Sequence, residues 1–453
     1  VTNDNSDPAT SIDALPSVQR AAYWSLGLLI TINLLNYVDR YVLAAVAPRI
    51  QRDLFEGKNE QADYWLTLGS KWGIFETNAE FWMGMLATAF LVSYMAASPL
   101  FGWLADRVSR WKIVGASLIV WSLASGASGL AATYGMLLAS RLMIGVGEAA
   151  YGPVAPTLIA DQFPVARRGV VLSYFYMAIP VGGALGFIVG GLVADSLSWH
   201  WAFLLSAPPG IALGIVALFM RDPPRGLADQ TQVNRPARFK DYLTFLRTPS
   251  YLIATAGMTA WTFATGGIAF WMPTYVSEFR GECTLPKANL YFGMITVVTG
   301  ISATFLGGWV ADRVQRRWPG SYFLVSGCGT LLAVPLFLAM LKAPFPLAWL
   351  LIFLTEFCLF FNTGPANAIL ANVTHPAVRA SAFAFNILII HLLGDALSMP
   401  LIGKITGMAG GDMNVSFAVV SAVMTLGGVV WLCGAPYLGR DTELAPTRIQ
   451  ADD

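Results

Sequence analysis

The sequence predicts an all-α membrane protein with twelve transmembrane helices, and three observations carry that expectation. Apolar residues make up 56% of the 453-residue chain and charged residues only 12%, about half the roughly 25% that coats a soluble protein. Apolar runs of about 20 residues, the length a helix needs to cross a bilayer, follow one another along the chain. No segment alternates at the two-residue period of a membrane barrel. The expected surroundings are therefore a lipid bilayer. The formal net charge of +1 offers no footprint for nucleic acid, and no such partner is expected.

The runs fall near 21–47, 81–104, 113–133, 136–160, 170–194 and 199–220, then near 249–275, 289–311, 321–341, 346–372, 380–403 and 414–438. The polar stretch 221–248 separates the two sets. The expected organisation is an N-terminal tail (1–20), a six-helix bundle (21–220), a linker (221–248), a second six-helix bundle (249–438) and a C-terminal tail (439–453). Within the linker, Arg238-Phe-Lys-Asp-Tyr-Leu-Thr-Phe-Leu-Arg247 interleaves bases and aromatics at helical spacing, which suits a short interfacial helix. Most Lys and Arg fall on the side of both termini, among them Arg107, Arg110, Arg167, Arg168, Arg313 and Arg379. By the positive-inside rule both termini are cytoplasmic. The first twenty residues lack the basic region and short apolar core of a signal peptide, so the first span is expected to direct insertion.

Several chemistries lack their residues. Cys283, Cys328, Cys358 and Cys433 are scattered, without disulfide or metal spacing, and His200, His375 and His391 are the only histidines. No HExxH, GxSxG or P-loop occurs. Gly145-Val-Gly147-Glu-Ala-Ala150 matches a dinucleotide fingerprint in letters only, because it lies inside a spanning helix with no strand before it. No cofactor is expected, and the chain is not expected to be an enzyme.

An internal repeat carries more. Gly102-Trp-Leu-Ala-Asp106-Arg107 recurs as Gly308-Trp-Val-Ala-Asp312-Arg313, each after the second span of its set. Gly152-Pro153 is matched by Gly364-Pro365, Pro164 by Pro376, Arg167 by Arg379 and Gly182 by Gly394. Two six-helix halves related by a parallel repeat are the plan of the major facilitator fold. The chain resembles that superfamily, whose loop signature G-x-x-x-D-R stands at both positions. Within it, Asn36-Tyr-Val-Asp39-Arg40, Ser93-Tyr-Met-Ala-Ala-Ser-Pro99, Gly145-Val-Gly-Glu148-Ala, Ala155-Pro-Thr-Leu-Ile-Ala-Asp161 and Arg221-Asp-Pro-Pro-Arg-Gly226 resemble the spinster family, as in a bacterial homologue. The resemblance implies a proton-linked or facilitative exporter of lysophospholipids or sphingolipid phosphates, monomeric and working by alternating access, and proton linkage is the expectation taken here. An organic-anion/proton transporter of the same superfamily is the alternative, because those share a D-R pair on the first span. A bacterial inner membrane is the expected location. The outer loop at 56–80 is longer than the family's usual one, and its Trp65, Leu68, Trp72 and Phe75 suit an interfacial anchor.

A charge at membrane depth costs at least a few kcal/mol and persists by facing a polar cavity or a partner. Asp39, Arg40, Arg141, Glu148, Glu356 and Asp395 are such charges, with His391 four residues before Asp395. The superfamily resemblance places spans 1, 4, 7 and 10 around a central cavity. Asp39 and Glu148 are then the candidates for proton coupling, and Arg40, Arg141 and Glu356 for headgroup binding or ion pairing. The expected arrangement is a network in which Arg40 and Arg141, or a proton, neutralise the two carboxylates in turn, with Gly145 leaving room for Arg141. Asn36, Thr259 and Thr262 are expected as polar cavity residues, and the His391–Asp395 pair as a secondary proton site. Asp106, Arg107, Asp312 and Arg313 are expected to hold an inner gate, each Asp at a neighbouring helix N-terminus and each Arg on a carboxylate.

Overall fold

The computed structural model of the chain describes residues 16–56, 79–229 and 237–449, and every regular element among them is helical. Before the linker these are α1 (Pro16–Gln51), α2 (Ala79–Ala105), α3 (Arg110–Ser128), α4 (Tyr134–Glu148), α5 (Tyr151–Gln162), α6 (Arg168–Tyr176), α7 (Ala178–Ser196) and α8 (Trp199–Leu218). The linker holds α9 (Phe239–Leu246). After it come α10 (Pro249–Thr274), α11 (Leu285–Gln315), α12 (Ser321–Lys342), α13 (Leu347–Phe360), α14 (Thr363–Val373), α15 (Arg379–Ile390), α16 (Ala396–Met408) and α17 (Met413–Leu444). The anchor expected at Trp65, Leu68, Trp72 and Phe75 lies outside the described residues.

Among the described residues, 11 helical stretches are long and apolar enough to cross a membrane, against the twelve expected. The difference is α3. It has 19 residues, opens on Arg110 and Lys112, and carries Ser117, Ser122, Ser125 and Ser128, all buried. It packs extensively on α4 and α8.

Four expected spans are each two helices end to end: α4 with α5, α6 with α7, α13 with α14, and α15 with α16 across a π turn at His391–Asp395. Proline explains three of the breaks. Its ring clashes with the carbonyl four residues earlier, and Pro153, Pro180 and Pro365 stand four residues after Ala149, Tyr176 and Phe361, where the preceding helix stops. In the fourth, Gly394 leaves helical geometry at φ −98°, ψ −105°. Glu148 is the last residue of α4, so the first break puts a carboxylate beside freed backbone polar groups.

The same neighbour relations recur in the two parts of the chain. Before the linker α3 packs on α4 and α8 and α2 on α4; after it α12 packs on α13 and α17 and α11 on α13. Extensive packing between the parts uses one end of the molecule, the end bearing Arg107, Arg168, Arg313 and Arg379, called here the basic end. There α2 and α5 meet α15, and α6 meets α11 and α14. The seam reaches Pro180 of α7, which rests on Gly300 of α11. The α1, α4, α10 and α16 helices take no part in that packing.

Candidate functional site

Consecutive residues on a helix leave its axis about 100° apart, and this separates the two charges of α1. The Nε of Arg40 donates to Oε2 of Glu148 at 2.6 Å. The rings of Tyr37, Phe90 and Tyr94 each stand 5.0 Å from its guanidinium carbon. Tyr94 is also edge-on to His391 of the second part, at 6.0 Å. The Arg40 side chain is 22% exposed and that of Glu148 is fully enclosed. This pair therefore looks toward the junction of the two parts.

Asp39 looks the other way. Its Oδ1 accepts from Ser125 of α3 at 2.5 Å and from Ser206 of α8 at 2.9 Å. Arg141 lies close enough to act electrostatically on Asp39 and Glu148, with its guanidinium carbon 4.8 Å from the Phe203 ring. Its Nε and Nη2 make no hydrogen bond, although Arg141 is buried. Asn36 Nδ2, Asp39 Oδ2 and Glu148 Oε1 are likewise buried and unpaired.

The expected four-member network thus resolves into a contacting pair, Arg40–Glu148, and a looser one, Asp39 and Arg141. Gly145 has a different use from the one expected. It admits the backbone of α2, and a Cβ there would collide with the Phe90 carbonyl and the Ser93 hydroxyl.

Glu356 differs from expectation too. Its carboxylate accepts from Thr296 at 2.9 and 3.1 Å and from Thr299 at 3.3 Å, with no basic partner among the described residues. His391 Nδ1 and Asp395 Oδ2 are 3.0 Å apart, so those two satisfy each other. Thr259 donates to the Thr255 carbonyl on its own helix, while the buried Thr262 hydroxyl is unpaired.

At the basic end the two aspartates of the repeated loop cap helices of the opposite part. Asp106 accepts from the backbone of Ala380 and Ser381, both at 3.1 Å, and from the Ser381 hydroxyl at 2.5 Å. Asp312 accepts from the backbone of Gly169 and Val170 at 3.1 and 2.9 Å and from the Tyr322 hydroxyl at 2.8 Å. The first glycine of each motif allows the approach. Gly102 lies on Ala380 and Ala384, and Gly308 on Gly169 and Ser173.

Among the described residues, the arginines of the motif do not reach carboxylates. Arg107 lies over the Trp103 ring and donates to the Ala237 carbonyl at 2.8 Å, and Arg313 lies over Trp309. Stacking replaces pairing because both emerge beside the tryptophan of their own motif, four residues back on the same helical face.

The ion pairs that close this end come from residues assigned by sequence only to loops and orientation. Asp161 bonds Arg110 and, at 2.7 Å, Arg379 of the second part. Asp229 of the linker takes Arg168 on one oxygen and Arg379 on the other, both at 2.5 Å. Arg168 also donates to Asn372 across the seam at 3.0 Å. Arg168 and Arg379 each open a helix after a 3-10 turn, so the structural counterpart of Arg379 is Arg168 and not Arg167.

Two carboxyls here titrate in opposite directions. Burial pushes Asp106 up to about 7, against the pull of its Ser381 and Ala380 donors. Burial would also raise Asp229, but Arg379 and Arg168 outweigh it and hold that carboxyl below the usual carboxylate range.

A solvated aspartate titrates near about 3.9, so the raised Asp106 favours the closed basic end in acid. That contribution is complete below about pH 4 and is lost as the pH rises through about 7. Spin-label distances between the basic ends of α2 and α15 should show a larger closed fraction at about pH 5 than at about pH 8. Asp106→Asn, a neutral capping residue, should flatten that difference; an unchanged slope would contradict the assignment.

The all-helical fold and its repeated aspartate loop are shared with a class of membrane transporters. The Major Facilitator Superfamily profile matches residues 29–399. The chain is 32% identical to Protein spinster homolog 3 of Danio rerio over 97% of this chain and 90% of that one. It is 34% identical to Protein spinster homolog 1 of Bos taurus, over 94% and 82%. The chain belongs to the spinster family of the Major Facilitator Superfamily. Its fold is shared by a bacterial homolog to the human lysosomal transporter Spinster in its inward-facing, unoccupied conformation, with TM-score 0.57, 20% identity and 96% and 99% of the two chains covered. It is also shared by the human organic anion transporter MFSD10, with TM-score 0.72, 15% identity and 91% and 99% covered.

Proposed function

We propose that this chain is a proton-linked secondary transporter, twelve spans in two six-helix halves, that moves lysophospholipid or sphingolipid-phosphate type substrates by alternating access. The observation that carries the proposal is the Arg40–Glu148 pair. It is a direct ion pair inside an aromatic lining, beside buried polar atoms with no partner. A phosphate headgroup would compete with Glu148 for the guanidinium, since charge-assisted bonds to arginine are open to either oxyanion. A carboxylate released from arginine in a low-dielectric site takes up a proton, and that links substrate to proton. The tyrosine and phenylalanine rings give the adjoining acyl chain an apolar wall. Glu356 with Thr296 would meet the polar part of the substrate from the second half, with Thr259, Thr262 and Asn36 as further cavity groups.

In this reading the basic end is cytoplasmic, both termini are inside, and Asp106 and Asp312 hold the inner gate. The protein acts as a monomer in a bacterial cell membrane. The family resemblance read from the sequence motifs suggests the substrate class, and the neighbouring positions of Arg40, Glu148 and Tyr94 support the coupling.

The test is uptake into sealed vesicles containing the purified chain, with an imposed pH gradient. Labelled lysophosphatidylethanolamine and sphingosine phosphate are compared with a dicarboxylate of similar charge. Gradient-dependent uptake of chemically unchanged lipid is expected. Uptake of the dicarboxylate alone would replace this reading with the organic-anion one, and uptake insensitive to the gradient would remove the proton.

A further inference from the structure

Asp39 is turned away from the junction between the two parts, toward α3 and α8, which pack mainly on helices before the linker. It nonetheless carries a charge at membrane depth, so the way its carboxyl is held decides whether it can change protonation state there. Three oxygens form a closed cluster. Asp39 Oδ1 is 2.5 Å from Ser125 Oγ and 2.9 Å from Ser206 Oγ, and the two hydroxyl oxygens are 3.0 Å apart. Ser206 has one further partner, the Phe203 carbonyl at 2.9 Å. Ser117 of the same helix α3 donates to the Val114 carbonyl, and Ser128 has the Ala124 carbonyl and the Ser140 hydroxyl as partners. Ser125 differs, having only Asp39 and Ser206 as side-chain partners.

Counting hydrogens shows what this arrangement does. A hydroxyl has one hydrogen and can accept as well as donate, while a carboxylate only accepts. With Asp39 ionised, both serines donate to Oδ1. With Asp39 protonated there are three hydrogens. Oδ1–H donates to Ser125, Ser125 turns to Ser206, and Ser206 turns to the Phe203 carbonyl. Each state satisfies every hydroxyl, and the two differ only by rotation about two Cβ–Oγ bonds. Oδ2 is buried without a partner in either state, so the balance between the states falls on the Oδ1 side, where a stranded donor or acceptor would cost about 1–3 kcal/mol.

The geometry points to Ser125 and Ser206 as a reversible hydroxyl switch that lets Asp39 take up and release a proton inside the first bundle. This inference rests on the proton-coupling reading above. The serines are positioning residues and touch no substrate. The other charges facing Asp39 are Arg141 and Glu148 on α4 and Arg40 on its own helix. None of these is within hydrogen-bond reach of Asp39, so the serines set its local balance and the arginines its background field.

The test needs no substrate. The full chain in phosphatidylcholine vesicles is titrated by infrared difference spectroscopy, and the carboxyl C=O band that disappears in Asp39→Asn is followed. Ser125→Ala and Ser206→Ala remove donors that favour the charged form more than the neutral one. Each should move the midpoint of that band upward by about one pH unit, a tenfold tighter hold on the proton. Ser125→Thr, which keeps the hydroxyl, should titrate with the unaltered chain. Ser206 is only partly buried, so its variant provides the reading if Ser125→Ala does not fold. A band that titrates but does not move in the alanine variants overturns the switch and leaves the proton role of Asp39 standing. Absence of any titrating band sensitive to Asp39→Asn overturns both.

Discussion

Glu148→Gln is expected to abolish accumulation driven by a pH gradient, by at least about tenfold, while the chain still folds and still exchanges substrate at equal pH. Glutamine fills the same volume at the end of α4 and keeps an oxygen for Arg40. It cannot carry the charge that the proton is meant to cancel. Arg40 tolerates the change because it is partly exposed and can be hydrated where Glu148 is wholly enclosed. Arg40→Ala is expected to be more severe and to lose exchange as well as accumulation. It removes the headgroup partner and leaves a buried carboxylate without its cation, an imbalance worth about 3–5 kcal/mol if the charge persisted.

The combined Arg40→Ala, Glu148→Gln variant separates the two effects. Because the residues touch, their changes should not add. The double variant should recover the stability lost in Arg40→Ala and recover no transport. Gradient-driven accumulation by Glu148→Gln at the rate of the unaltered chain would sink the coupling role. Exchange surviving in Arg40→Ala would sink the headgroup role.

The parts of this site that were legible in the sequence are those encoded by local spacing or by exception. A carboxylate in an apolar run is an exception, which is how Asp39, Glu148 and Glu356 stand out. His391 and Asp395 are four apart, and that spacing alone predicted their contact. The duplicated Gly102 and Gly308 loops pointed to the aspartate caps at the basic end.

The parts that were not legible depend on rotation and on long-range closure. Asp39 and Arg40 are neighbours in the chain, yet only the packing of α1 against α7 and α8 sends one to the serines of α3 and α8 and the other to Glu148 of α4. The serines of α3 lie in a run expected only as the third span, and nothing in their spacing singled out Ser125. Arg168 and Arg379 satisfied the orientation rule, which removed them from consideration as gate residues. Their partners, Asp161 and Asp229, lie far away in the chain or in the linker. The one signal available was that both arginines follow a proline that stops the preceding helix.

Arg379→Met is expected to shift the molecule away from the state closed at the basic end. Arg379 is buried and joins Asp161, on the first part, to Asp229, on the linker. Among the described residues, removing it leaves Asp161 with Arg110 and Asp229 with Arg168 as arginine partners. Breaking a buried charged network by deleting one member costs about 3–5 kcal/mol, and each 1.4 kcal/mol is about tenfold in a population. The closed-to-open ratio should therefore fall by about a hundredfold or more, read as spin-label distances between α2 and α15. Asp229→Asn should act in the same direction and more weakly, since Arg168 keeps Asn372 and the Ala160 carbonyl.

The pH dependence distinguishes this clasp from the Asp106 cap. Asp229 is held below the usual carboxylate range, so its contribution is present above about pH 4 and is lost only as the pH falls further. Between about pH 5 and pH 8 the Asp229→Asn and Arg379→Met variants should lower the closed fraction by the same factor throughout. Asp106→Asn should instead reduce the slope. A slope that disappears in Asp229→Asn, or a closed fraction unchanged in Arg379→Met, would mean that the basic end is held by its helix packing and not by this clasp.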